Sequence, residues 1–450
     1  MRSLSLFVLL VSACSTDSSD RSSAAASELP RARDTVANGA VVSAVHDSTT
    51  HTTLTRASST PRAAVSRADT AIVRGIYVNR WAAQSPKKMR SLIALADTTE
   101  INAFVIDIKD EFGINYSSSD TLVKRNAGRG GTIPGMRPLL DTLQAHGILA
   151  IARIVVFKDS VTARHNPDWT IRKADGDVWR DKEGLAWVNP YDRSLWELNI
   201  RVAEEVTRLG FDEIQWDYIR FPEPYKSLPP QVFPGAEGRT KTQALVGFLE
   251  LAKERLNPLG VRSTADIFGL VTSVNGALEI GQAWEPLSPV ADVLLPMVYP
   301  SHYPRGAFGI DRPNADPYGV IYAAISKAHA RDLKLGISGE HVRPWIQAFT
   351  LGAPAYGARE VRLQKQAIYD AGYDTWVLWH PGSRYGVFEP ALERETVSRK
   401  KDWTPGTPPT PPAWGRIIAD STVAAPPVAP PTDTGKVAPA APPPPPPPAR

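Results

Sequence analysis

Through the middle of the chain the spacing of apolar residues switches between a period of about 2 and one of about 3.6, close to eight times over. Period 2 marks strands over residues 71–78, 103–109, 148–157, 211–222, 261–268, 292–299, 333–338 and 373–379. Helical spacing follows after Pro86 and over 134–146, 193–209, 241–256, 317–331 and 358–371. A long polar insertion runs to Asn189 after the third strand, and a less regular stretch follows the fifth. Strands that alternate with helices pair in parallel through crossover connections. Eight such units predict an α/β fold, a closed (β/α)8 TIM barrel. A doubly wound open sheet is the other arrangement, and no Gly-rich turn follows the first strand to support its dinucleotide-binding version.

The fourth strand indicates what fills the interior. Ile214, Trp216 and Tyr218 share one face, while Glu213, Gln215 and Asp217 share the other. In a parallel barrel the apolar side meets the helices and the polar side lines the interior, ending at the mouth with Asp217. A half-exposed strand of a mixed sheet would carry the same pattern. Polar residues gather at the same end of other strands: Asp107 and Lys109 on the second, Arg153 on the third and Asp266 on the fifth. Tyr299 and His302 follow the sixth, Glu340, His341 and Trp345 the seventh, and Trp379 and His380 the eighth. An unpaired charge such as Arg153 in an aliphatic run is costly, so a partner is expected, with Asp107 the nearest candidate.

Two carboxylates flanking a glycosidic bond are the minimum equipment of a glycosidase. Asp217, Asp266 and Glu340 are the candidates. Adjacent strands lie about 5 Å apart, close to the roughly 5–5.5 Å separation of a retaining pair. Asp217 is expected to be the ionised carboxylate at the anomeric carbon. Asp266, beside Ile267 and Phe268, is expected to be the proton donor, with Glu340 its rival. Arg153, Lys109, Tyr299 and His302 would stabilise charge and hold sugar hydroxyls. Asp107, Gln215, His341, Trp345, Trp379 and His380 complete the expected substrate contacts. A metal-dependent hydrolase using His302, His341 and His380 and a non-catalytic carbohydrate-binding barrel are the alternatives. No cofactor and no metal are expected.

The ends of the chain differ in kind. Residues 1–14 combine an Arg at position 2, a short apolar run and Val-Ser-Ala before Cys14, the only cysteine. This resembles a bacterial lipoprotein signal, which implies lipidation at Cys14 and a cell-envelope protein tethered to a membrane, facing the periplasm or exterior. Residues 15–67 have the composition of a disordered linker. Residues 403–450 hold 17 of the 41 prolines and read as an extended, Pro-rich tail. The barrel is therefore bounded at 68–402, and both tails are expected to be dispensable for its folding. A net charge of +4 with no basic run leaves nucleic-acid binding without a footprint. A monomer with a polysaccharide or oligosaccharide substrate is expected.

Five segments, in order, resemble the putative glycosyl hydrolase domain family of bacterial barrels. They are Val155-Val156-Phe157-Lys158-Asp159, Trp187-Val188-Asn189-Pro190, residues 210–222, Ala265-Asp266-Ile267-Phe268-Gly269 and residues 296–303. The resemblance spans about Ile72 to Pro381 and implies a TIM-barrel glycosidase-like fold. A more distant likeness is to chitinase-like barrels with D-G-x-D-x-D-x-E on the fourth strand. With Asp217 aligned, Gln215 replaces the middle Asp and Ile219 the acidic Glu, which speaks against substrate-assisted chemistry. The Trp216-Asp217-Tyr218 ending is closer to retaining α-glycosidases with a fourth-strand nucleophile.

Cys14→Ala is expected to move the protein from the membrane to the soluble fraction. Unchanged fractionation would contradict the anchor.

Overall fold

The computed structural model describes residues 72–337 and 339–413. The signal segment, Cys14, the spacer to residue 67 and the final proline run lie outside the described residues. Among the described residues there are nine strands: β1 (Arg74–Val78), β2 (Ala103–Asp110), β3 (Gly113–Ile114), β4 (Leu149–Val155), β5 (Glu213–Asp217), β6 (Arg262–Phe268), β7 (Val293–Met297), β8 (Trp345–Gln347) and β9 (Trp376–Trp379). All but β3 pair in parallel in sequence order, and β1 closes the ring on both sides, with Gly75 opposite Ala103 and also opposite Val377. This is the eight-stranded α/β barrel the periodicity predicts. The short β3 folds back antiparallel on the end of β2.

Helices α1 (Arg80–Gln84), α2 (Pro86–Thr98), α3 (Thr121–Arg125), α4 (Met136–Ala145), α5 (Ser160–His165), α6 (Arg193–Leu209), α7 (Lys241–Leu256), α8 (Trp284–Leu287), α9 (Pro317–Lys334) and α10 (Ala358–Asp370) surround it. Their ends follow local chemistry. Asp192 accepts the Ser194 N–H to start α6, and Gly210 ends it at φ 115, a left-handed position that favours glycine. Leu195, Leu198, Val202 and Val206, spaced three and four apart, bury its inner face. Between helices and sheet lie the outward side chains Ile106, Ile154, Ile214, Trp216, Ala265 and Ile267.

The barrel lumen is layered. Val105, Ile151, Val293, Leu295 and Val377 form an apolar patch with Tyr77, Tyr299 and Trp345. Beside it Glu213, fully buried, pairs with Arg343 at 2.6 Å and Arg262 at 2.9 Å. Burial alone would raise this carboxyl, but the two guanidiniums hold it below the usual glutamate range.

One strand differs from expectation. Residues 333 and 334 close the last turn of α9, and Gly336 then turns left-handed at φ 72. The seventh barrel strand is Trp345–Gln347, after a single bridge between Leu294 and Val342. The alternating Leu333, Leu335 and Ile337 imitate a strand, but Leu333 and Leu335 face solvent on a helix end.

The last described segment climbs the groove between α9 and α10. The Arg399 and Lys400 N–H groups bond Asp374 at the barrel floor, and the Lys401 N–H bonds the Tyr369 carbonyl. Trp403 stacks on His329 at 4.5 Å, and its Nε1 donates to the Tyr322 hydroxyl. Tyr322 in turn donates to the Thr407 carbonyl, and the Thr410 N–H reaches the Tyr318 hydroxyl in the first turn of α9. The boundary placed at 402 cuts through this strap.

A chain ending at residue 402 is expected to melt several degrees below one ending at 413, and Trp403→Ala to cost about 1–2 kcal/mol as a half-buried aromatic. Equal midpoints in thermal and urea unfolding would show that the strap adds nothing.

Candidate active site

At the C-terminal end of the strands one guanidinium serves two carboxylates. Arg153, in the interior of β4, donates from Nε to Asp217 at 2.9 Å and from Nη2 to the same oxygen, and from Nη1 to Asp107 at 2.5 Å. Its Cζ lies 5.5 Å from the Tyr77 ring centroid and 5.7 Å from that of Trp379, so aromatic faces flank the fork. Burial works against its charge, but Asp217 and Asp107 outweigh that and hold its pKa well above the ordinary value. The Asp107–Arg153 pair is thus present, and Arg153 has Asp217 as well.

Asp217 is the last residue of β5. Its Oδ1 accepts the N–H of Tyr218 at 2.5 Å, and Tyr218 takes a left-handed φ of 50. A non-glycine residue in that region costs on the order of 1 kcal/mol, and such strain gathers where a side chain must be aimed. Asp266 follows one position beyond the Trp216–Ala265 pair, which brings it level with Asp217 on the neighbouring strand. Its Oδ1 accepts Trp345 Nε1 at 2.7 Å and Gln215 Nε2 at 2.9 Å; Oδ2 accepts the same Gln215 nitrogen at 3.1 Å. Burial first, and the Asp217 charge second, raise the Asp266 pKa well above the ordinary aspartate value. The flanking Ile267 that suggested an apolar setting points to the helices instead. Asp107 is pushed up to about 6, chiefly by burial, although Arg153 pulls the other way. Tyr77, which the sequence pattern did not single out, donates to Asp107 at 2.5 Å.

Aromatic groups close the ring. Tyr299 lies 5.3 Å from His302, 5.7 Å from Phe349 and 6.5 Å from Trp379, and Trp379 stacks on Tyr77 at 4.1 Å. Burial, Asp266 and Asp217 keep the Tyr299 hydroxyl protonated far above its usual range. Burial lowers His302 to about 4, so its ring is neutral at pH 7 and supplies no positive charge.

Other expected residues are placed elsewhere. Glu340 and His341 precede β8 and so lie at the barrel floor: Glu340 pairs with Lys400 at 2.7 Å and accepts the Asp374 N–H, and His341 meets Asp332 at 3.0 Å. Glu340 is therefore no rival donor to Asp266. Lys109 is spent on Asp159 at 2.7 Å and the Val155 carbonyl. His380 is turned against Tyr385 and Phe388, and burial lowers it to about 4. His302, His341 and His380 thus do not converge. Among the described residues no group of three or more His, Cys, Asp or Glu is arranged to hold a metal ion. Surface cavities of about 310 Å³ beside Asn314 and about 590 Å³ beside Tyr191 do not include the carboxylates.

A family model described as a putative glycosyl hydrolase domain matches residues 75–385. A search of curated proteins returns no match. A hypothetical protein from Ruminiclostridium thermocellum ATCC 27405 is 34% identical over 40% of this chain and 92% of its own, with a TM-score of 0.37. The PgaB (BpsB) glycoside hydrolase domain from Bordetella bronchiseptica is 14% identical over 69% of this chain and 95% of its own, with a TM-score of 0.49. The α-L-fucosidase isoenzyme 2 from Paenibacillus thiaminolyticus is 14% identical over 71% of this chain and 48% of its own, with a TM-score of 0.45.

Arg153→Met removes the shared counter-charge and is expected to cost about 3–5 kcal/mol at pH 7. Without Arg153, the burial that already raises Asp107 would go unopposed and it would hold its proton more tightly folded than unfolded, so part of the loss should return as pH falls from 7 to 5. Urea unfolding of variant and wild type at both pH values checks this. A deficit that is the same at both would show that the pair is not what the guanidinium balances.

Proposed function

Since the chain belongs to the putative glycosyl hydrolase domain family, we propose that it cleaves glycosidic bonds of a cell-surface or extracellular polysaccharide at the Asp217–Asp266 end of the barrel. The observation that carries this reading is a pair of level carboxylates on adjacent strands in unlike surroundings. Asp217 has its charge matched by Arg153, while Asp266 has no cation bonded to it and is driven to hold its proton. Such a split in proton affinity is what divides an acid from a nucleophile or base.

In this mechanism Asp266 donates its proton to the leaving glycosidic oxygen. Trp345 and the shorter Gln215 contact both fall on Oδ1, which leaves Oδ2 to carry that proton. Asp217 meets the positive charge that develops at the anomeric carbon, directly or through an activated water. As the leaving group departs, Asp266 becomes a second anion beside Asp217, and the charge near Arg153 becomes one unit more negative. The Trp345 and Gln215 donors are already in place to receive it, so that change needs no rearrangement. Tyr299 and the neutral His302 would contact sugar hydroxyls from the other side.

A binding barrel without turnover is the second reading. It is favoured by burial: Asp217 is 7% exposed and Asp266 1%. The anchor at Cys14 remains part of the proposal, and the described chain enters β1 from the floor, opposite the carboxylates.

Asp217→Asn is expected to lower turnover of an accepted substrate by about 10³-fold or more with an unchanged melting temperature. Asp266→Ala should lose far less on an aryl glycoside with an activated leaving group than on a polysaccharide. Wild-type activity should fall as pH rises through the elevated Asp266 pKa. Polysaccharide binding without product from any member of a glycan panel, followed by NMR, would favour the binding barrel. Native turnover by Asp217→Asn would overturn the assignment.

A further inference from the structure

Large apolar side chains exposed to solvent are few among the described residues, and the two aromatic ones are neighbours. Trp81 is 59% exposed and Phe112 43%, with ring centroids 5.4 Å apart at 67°. Trp81 lies in α1 directly after β1, and Phe112 directly after β2, so both stand on the face that carries Asp107 and Asp217. Neither ring contributes the burial that would explain it as core.

Beneath the rings is a rigid mount. Arg80, next to Trp81, is buried and bonds Asp110 at 2.7 Å, the Gly113 carbonyl at 2.6 Å and the Gly131 carbonyl at 2.9 Å. Asp110 also accepts the Phe112 N–H at 2.9 Å. Gly113 sits at φ 103, where a Cβ would lie 2.1 Å from the Ala127 carbonyl oxygen, so the loop is held against its neighbour with no room for a side chain. The backbone that carries the two exposed rings is thus held by a buried ion pair between Arg80 and Asp110. A surface whose ordering cost is met before binding gains affinity from contact area alone.

Glu111 directly precedes Phe112 on the same turn after β2. It is exposed, and its charge acts on both Tyr77 and Tyr218, the residues beside Asp107 and Asp217. Lys109, Arg153 and Lys158, the lysines and arginine nearest the mouth on β2 and on or after β4, are each paired with a carboxylate. The rim after β1 and β2 therefore presents two aromatic faces and the exposed carboxylate of Glu111.

We propose that Trp81 and Phe112 form a stacking platform for a pyranose unit of the polysaccharide whose reacting unit enters the mouth, and that Glu111 selects neutral or cationic sugars over polyanions. The inference rests on the glycosidase reading for its ligand but not for its measurement. A sugar ring offers a flat C–H face to an aromatic ring, as a base offers its face in nucleic-acid binding. Hydroxyls at its edge can donate to Glu111.

Affinity electrophoresis of the full chain in gels containing a neutral β-glucan, chitosan or alginate tests this without turnover. Retardation by the glucan or chitosan is expected, weakened about tenfold or more in Trp81→Ala and Phe112→Ala, and largely kept in Trp81→Phe. Both alanine variants should melt with the wild type, because the rings are exposed. Asp217→Asn should be retarded like the wild type, so loss of the glycosidase reading would leave this result standing. Unchanged retardation of both alanine variants, or no retardation of the wild type by any of the three glycans, would overturn the platform. Alginate retarding as strongly as the others would overturn the role given to Glu111.

Discussion

One buried guanidinium has to balance more negative charge than it carries. Arg153 faces Asp107 and Asp217 directly, with Asp266 on the next strand. Isolated charges in such a setting would cost far more than a domain's whole stability, so the cluster resolves the excess by protonation and hydrogen bonding. Asp266 is driven toward its protonated form, Asp107 is pushed the same way, and Asp217 keeps two donors of Arg153 on one oxygen. Unlike roles for chemically identical side chains follow from that shortage of positive charge.

The barrel makes the shortage tolerable by supplying neutral donors from fixed directions. Tyr77 from β1 reaches Asp107, while Gln215 from β5 and Trp345 from β8 reach Asp266. Each donor sits on a different strand, so the closed sheet sets their separations and the helices hold the sheet. Deeper in the lumen the balance is reversed, with Glu213 between Arg343 and Arg262. The same strand, β5, therefore carries a carboxylate held by two guanidiniums below and, at the mouth, one that shares a single guanidinium with Asp107. The backbone turn at Tyr218 ends it there and keeps Asp217 level with Asp266.

The outer wall shows how far packing can extend beyond a compositional boundary. Residues 403–410 read as tail by their prolines, yet Trp403, Thr407 and Thr410 find hydrogen-bond partners on α9. An extended chain without internal hydrogen bonds is suited to such a groove, because its backbone groups are free for side chains such as Tyr318 and Tyr322.

What the sequence determined by itself was whatever repeats along the chain. The strand and helix periods predicted the barrel, and the alternation of Glu213, Gln215 and Asp217 against Ile214 and Trp216 assigned the inner face of β5, since side-chain direction within a strand is a local property. Asp217, Asp266 and Arg153 were legible for that reason, as was the Asp107–Arg153 pair across neighbouring strands. Tyr77 was not, because an aromatic in an apolar strand gives no sign of which carboxylate its hydroxyl meets. Lys109 pointed inward as expected, but only the position of Asp159 decided that it was already spent. Glu340 and His341 changed ends of the barrel because Leu333, Leu335 and Ile337 fit a strand as well as a helix terminus. Packing of α9 chose the helix and moved β8 downstream. The proton affinities belong wholly to the tertiary structure: they depend on burial and on charges brought level by strand register, neither of which is written in the spacing of residues along one chain.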